Sequence, residues 1–260
     1  MLWTPQSKPA PGAQVSWGHP LARTVRGYWL CNEGGGRLLN DLCGMSPALG
    51  LPAWGGGPGG TALKLAGVNN TAPECANRPS LNITGPLTIA ARVRPDSIAA
   101  GQYILARNLA AYTTSMQYGL NAQPVSGEVM PMIQNAAWSS AKNLTLGKLV
   151  SVVFSYDGVS LWSLYFDGQL VATQTVAKTI TSQNYPLLIG GRSNAGTGNV
   201  YSWNGLIDYA AVFASALLPS EVAWLAAEPY SMIADPSPRR YFIFKSEEAA
   251  STSWIGGGFW

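Results

Sequence analysis

The stretch 205–213 reads GLIDYAAVF, and after a short break LPSEV follows at 218–222. An apolar run of this length is a long strand. Pro219 suits the first position of a helix, with Ser220 and Glu221 favoured beside it. Val222, Leu225 and Ala226 then share one helical face, and Pro229 ends the helix. Asp208 is the one acid inside the strand. A buried carboxylate is costly unless it is paired or hydrogen-bonded, so Asp208 needs a partner.

The rest of the chain is a series of short strand-like runs separated by turn signals, which is the pattern of a sandwich or barrel. Strands are expected over 25–31, 62–68, 87–94, 103–107, 116–120, 128–134, 149–156, 160–166, 169–175, 187–190 and 205–213. Asp157-Gly158 and Asp167-Gly168 fall between strands, and Asp-Gly accepts the positive φ of tight hairpin turns. They predict a β-meander from 149 to 175. The run 54–60, WGGGPGG, is too rich in glycine for a strand and reads as a flexible loop. Residues 1–22 read as an extended N-terminal arm, 23–230 as the folded domain, and 231–260 as a C-terminal aromatic tail.

Composition narrows the function classes. Charged residues make up 11% of the 260, and the chain holds 10 Trp and 11 Tyr; an ordinary soluble domain carries about 25% charge. A neutral, aromatic surface fits either a free monomer with an unusually neutral skin or, better, a protein covered by partners in an assembly. Arg239-Arg240 is the longest basic run, too little for a nucleic-acid footprint. No stretch reaches the roughly 18 apolar residues of a membrane span, and the N-terminus lacks the pattern of a signal peptide. Cys31, Cys43 and Cys75 have no CxxC spacing and read as buried free thiols, with a Cys31–Cys43 bridge as the alternative. The sequons at Asn69, Asn82 and Asn143 read as chance matches.

The order of motifs resembles the laminin-G-like jelly roll of the concanavalin A-like lectin/glucanase superfamily. The resemblance rests on GYWLCNEGGGRLLNDLCG at 27–44, ALKLAGVNN at 62–70, GPLTIAARVRPD at 85–96, LVSVVFSYDG with LYFDGQLV at 149–171, PLLIGGR at 186–192 and NGLIDYAAVFASALLPSEV at 204–222. Arg92 departs from the usual aromatic residue. The resemblance implies an all-β fold: a two-sheet antiparallel jelly-roll sandwich with one short C-terminal helix and extended terminal arms. The tails are similar to those of laminin-G-like virion proteins of tailed bacteriophages. That implies a structural virion component assembled in the host cytoplasm, with other virion proteins and copies of itself as partners, a trimer among the options. The alternative is a lectin-like module that binds host surface glycans.

Glycosidases of this fold use carboxylates alternating along one strand, and retaining chemistry needs two about 5–5.5 Å apart. No two acids here stand at i,i+2 within an expected strand, and His19, the one histidine, lies in the arm without a nearby acid. No catalysis is expected. Asp208 then has three readings: a partner for a cation such as Arg92, an acceptor of backbone hydrogen bonds, or a Ca²⁺ ligand. The resemblance implies calcium held by this strand's acid and early backbone carbonyls, with Asp41 and Gly67 as the other candidates; no cofactor is otherwise required. Trp54, Trp138 and Trp203 are candidates for stacking on sugar rings, with Asn135, Asn194 and Asn199 for hydrogen bonds to hydroxyls. Trp3, Trp17, Tyr241, Phe242, Phe244, Trp254, Phe259 and Trp260 are candidate assembly contacts.

Overall fold

The computed structural model describes residues 7–44, 47–57, 59–195 and 198–234. Two eight-stranded antiparallel sheets stack into a sandwich. The first runs in the order Gln169–Thr175, Leu161–Phe166, Val150–Tyr156, Leu87–Pro95, Asn204–Phe213, Gly60–Ala66 and Ala53–Gly57, with Val25–Trp29 also paired to Asn204–Phe213. The second runs Ala136–Ala137, Val129–Ile133, Met116–Ala122, Gln102–Asn108, Leu187–Ile189, Glu74–Cys75, Ala48–Leu49 and Leu38–Leu39.

Side-chain alternation explains why central strands are apolar on both faces. Ile89, Ala91 and Val93 point into the core between the sheets, with Val152, Phe154, Ala210 and Val212 beside them. The intervening Ala90, Val153, Tyr209, Ala211 and Phe213 point the other way, into a second core. That outer core is roofed by the Pro219–Ala227 helix through Val222 and Leu225, and by residues from both ends of the described chain.

This corrects the separation of the extended arm 1–22 from the folded domain, within the described residues. From residue 7 the chain folds onto its own domain: Ala13, Val15, Leu21 and Ala22 are buried, and Gln14–Val15 pairs with Ile233–Ala234. Met232 and Ile233 are buried too, so the domain runs past 230. His19 works structurally here, accepting from the Leu21 amide at 3.3 Å and packing on Trp224 at 4.5 Å; burial lowers its pKa. Trp17 is exposed. Trp3 and the candidate tail contacts Tyr241, Phe242, Phe244, Trp254, Phe259 and Trp260 lie outside the described residues.

The run 54–60, expected as a flexible loop, carries a strand instead: Ala53–Gly57 is laddered against Gly60–Ala66. Glycine serves there because another chain segment lies close: a Cβ on Gly59 would stand 3.3 Å from the backbone nitrogen of Lys8. The three cysteines are free and buried. Among the described residues no helix is long and apolar enough to cross a membrane.

Candidate functional site

The strand Asn204–Phe213 organises two sites. Its first half pairs with Gly60–Ala66 through rungs from Asn204 to Ile207, and its second half pairs with Val25–Trp29 through rungs from Ala210 to Phe213. Asp208 falls in the gap between these partners. On the opposite side the ladder to Leu87–Pro95 slips at the same place, from Ile207↔Val93 to Tyr209↔Arg92, leaving Asp208 as the extra residue of a bulge.

Asp208 is fully buried, and its nearest cation is a lysine from the N-terminal segment that no local pattern singles out. The Lys8 ammonium stands 2.9 Å from Asp208 Oδ1, with both side chains shielded from solvent. Asp208 Oδ2 accepts the Tyr230 hydroxyl and lies 3.8 Å from an Arg92 guanidinium nitrogen. Burial, followed by the Asp208 charge, pushes the Tyr230 phenol well up, so it remains a donor. The expected pairing with Arg92 exists, but it is the longer of the two cation contacts.

The calcium set of Asp208, Asp41 and Gly67 is not brought together. Asp41 accepts the backbone amides of Tyr28 at 2.8 Å and Cys43 at 3.0 Å, capping a turn. Gly67 bonds Trp203 at 2.9 Å, five residues along the chain from Asp208, or roughly 15 Å in extended backbone. At Asp208 itself the Lys8 ammonium stands among the oxygens, 2.9 Å from the carboxylate and 2.6 Å and 2.7 Å from the carbonyls of Thr61 and Asp208. Among the described residues no three His, Cys, Asp or Glu side chains cluster as a metal site.

The second site is a groove of about 640 Å³ at the loop end of the sandwich. It is formed where the chain leaves Gly60–Ala66, where it turns from Leu87–Pro95 into Gln102–Asn108, and where it enters Asn204–Phe213. Its lining is polar and almost uncharged: Asn69, Ser97, Gln102, Asn194, Ser202 and Asn204, with Arg192 as the charged member. Tyr201 stands in it about half exposed. The Arg192 guanidinium lies 4.8 Å from the centre of the Tyr201 ring, and Tyr103 meets that ring edge-on at 6.3 Å. Arg192 is itself fixed by bonds to the carbonyls of Ala110 at 2.8 Å and Ser193 at 3.0 Å. Gln102 ties the rim together, accepting from the Asn204 amide at 2.6 Å and donating to the Ser97 carbonyl. Tyr201 and Ala195 both hold positive φ, at 54° and 51°. A bulky residue in that conformation is strained, and such strain concentrates at binding sites.

Of the sequence-predicted sugar contacts, the groove contains Asn194. Trp203 is fully buried and donates to the Leu206 carbonyl at 3.3 Å, so it has no face to offer a ligand. Trp138 is buried edge-on against Trp162 at 6.5 Å. Trp54 is half-buried on the glycine hairpin, away from the groove. Asn135 caps the Met116 amide at 2.7 Å, and Asn199 holds the Asn70 and Ala72 segment. The aromatic side chain that does line the groove is Tyr201, two residues before Trp203.

Residues 68–223, more than half of the chain, match the laminin-G family model described as the concanavalin A-like lectin/glucanases superfamily. The chain belongs to this superfamily. Among solved structures it is similar to domain 4 of AbnA, a GH43 extracellular arabinanase from Geobacillus stearothermophilus, in complex with arabinotriose; identity is 17% over 78% of this chain and 98% of that one, with a TM-score of 0.61. It is also similar to Trypanosoma rangeli sialidase in complex with sialic acid, at 17% identity over 81% of this chain and 34% of the sialidase, TM-score 0.61. A third likeness is to the binding domain of Paraclostridial Mosquitocidal Protein 1, at 13% identity over 79% of this chain and 52% of that one, TM-score 0.59. At these identities the likeness is one of fold. The search of curated proteins found no match.

Proposed function

We propose that this domain is a non-catalytic carbohydrate-binding module whose ligand lies in the Tyr201 groove. The observation that carries the reading is a strained, half-exposed tyrosine braced by Arg192 within a ring of amides and hydroxyls. A sugar ring needs an apolar face to stack on and neutral donors and acceptors for its hydroxyls, and the groove supplies both. Among the described residues no Asp or Glu lines it, so they supply no acid–nucleophile pair for glycoside cleavage. The superfamily's lectin-like fold supports the same reading.

The setting we propose is the virion of a tailed phage, as a decoration or tail component, where glycan binding serves attachment. Its support is the resemblance of the terminal motifs and the sparse charge. A purely structural role keeps one observation in its favour: Leu38, Leu49 and Leu51 are all exposed around a second groove, the kind of apolar patch that neighbours cover.

A glycan array followed by calorimetry tests the binding reading. Tyr201→Ala should weaken the best ligand by about tenfold, the scale of one lost stacking contact. An array without hits, or a ligand indifferent to Tyr201→Ala and Asn194→Ala, refutes it and leaves the structural role.

A further inference from the structure

The surroundings of Lys8 have the form of a cation site. Its ammonium donates to the carbonyls of Thr61 at 2.6 Å, Asp208 at 2.7 Å and Cys31 at 3.3 Å, and faces Asp208 Oδ1 at 2.9 Å. These carbonyls come from three segments that meet where the closing strand changes neighbours. Cys31 follows Val25–Trp29, Thr61 is the second residue of Gly60–Ala66, and Asp208 is the bulged residue between their rungs. Where strands part, backbone oxygens lose their ladder partners, and a buried carbonyl needs a donor. Cys31 takes a positive φ of 55° in supplying its carbonyl, although it is not glycine.

We propose that this cage is a cation site filled from within: the Lys8 ammonium stands where the junction would otherwise need a bound ion. It makes the domain independent of metal and fastens the N-terminal segment in the same contact. The neighbourhood is shaped for the lysine. A Cβ on Gly59 would meet the Lys8 Cβ at 3.3 Å, and one on Gly57 would meet Asp208 Oδ1 at 3.3 Å, so the glycines of the hairpin leave the slot in which the lysine stem lies. Asn32 holds the next residue, donating to the Pro9 carbonyl at 2.8 Å. A Lys side chain is the longest unbranched carrier of a compact cation with three donors, which suits a cage of carbonyls approached from one side.

The test uses the whole chain and thermal melting. Wild-type Tm should be the same in EDTA and in calcium chloride. Lys8→Ala, which takes the nearer cation from the buried carboxylate and the donor from three carbonyls, should melt about 10 °C lower. The variant should then recover stability in ethylammonium chloride and not in tetramethylammonium chloride at equal ionic strength, because only the former has N–H donors for the carbonyls. Neither salt should distinguish itself on the wild type. A wild type that loses stability in EDTA and regains it with Ca²⁺ overturns the proposal. So does a Lys8→Ala protein that melts like the wild type, or one that answers both ammonium salts alike. Should Lys8→Ala fail to fold, ¹⁵N-edited NMR of the wild type decides. A caged ammonium gives a slowly exchanging Lys8 Nζ proton signal near neutral pH, and its absence overturns the proposal.

Discussion

Arg107 is fully buried in the middle of the second sheet with no carboxylate among its bonded partners. Its guanidinium donates to the carbonyls of Leu81 at 2.9 Å, Tyr185 at 2.8 Å and Gln183 at 2.9 Å, and to Asn77 Oδ1 at 2.7 Å. The fork therefore fastens the segment before Leu187–Ile189 to Gln102–Asn108. Arg107→Met keeps much of the stem volume and removes every donor. Two of the four acceptors have somewhere to go. Leu81 O retains the Tyr118 hydroxyl at 2.7 Å, and Asn77 is exposed, so its Oδ1 can turn to water. The carbonyls of Gln183 and Tyr185 are left, and each orphaned acceptor costs about 1–3 kcal/mol. Removing the charge returns part of that loss, because burying it was itself unfavourable. The net expectation is a loss of about 3 kcal/mol for Arg107→Met. Arg107→Lys should lose roughly half as much, since one nitrogen cannot reach acceptors on opposite sides of the fork. Urea titration measures both. Hydrogen exchange should show the amides of Thr181 and Gln183 losing protection first. A loss under about 1 kcal/mol, or equal losses for Met and Lys, would show that the fork does not hold this segment.

Two further outcomes follow from local geometry. Asp157 Oδ1 accepts the amides of Val159, Ser160 and Leu161 at 2.7–2.9 Å; slight burial disfavours its charge, but these bonds prevail and hold its pKa below the usual carboxylate value. Its stabilising contribution is therefore present above the unfolded pKa of about 4 and disappears as pH falls through the lower folded value. The Tm gap between wild type and Asp157→Ala should close on acidification, and a gap constant from pH 6 to pH 2 would contradict this. Gly190 has φ +76°, and a Cβ there would lie 2.2 Å from Leu65 Cδ1. Gly190→Ala should cost about 3 kcal/mol from overpacking and backbone strain, while Gly56→Ala, with open space around it, should stay within about 0.5 kcal/mol; equal melting temperatures would count against the close contact.

The sandwich was legible because strand alternation and Asp-Gly turns are local signals. The long strand expected at 205–213 is Asn204–Phe213, and the expected helix is Pro219–Ala227. What failed depended on distance. The glycines of 55–60 read as slack because composition cannot show that Lys8 passes beside them. The segment from 7 to 22 carries its buried residues between prolines and glycines, so no period betrays their docking. Residue type alone selects Trp203 as a sugar contact, yet the fold buries it completely and leaves Tyr201 half exposed. Asp208 announced that it needed a partner; nothing local could say that the partner stood 200 positions earlier.

The short ribbon of Gln14–Val15 with Ile233–Ala234 has a mechanical consequence. Its rungs, Gln14↔Ala234 and Val15↔Ile233, set the incoming and outgoing chain at the same end of the ribbon. Tension applied to the two flanking segments in opposite directions therefore peels the rungs one after another instead of shearing them together. The resistance is unequal. Traction on the N-terminal side first loads the Lys8 ammonium, which lies upstream of the ribbon, whereas traction on the C-terminal side reaches the ribbon directly. The outgoing strand is the one that yields first, and the sandwich behind it is spared.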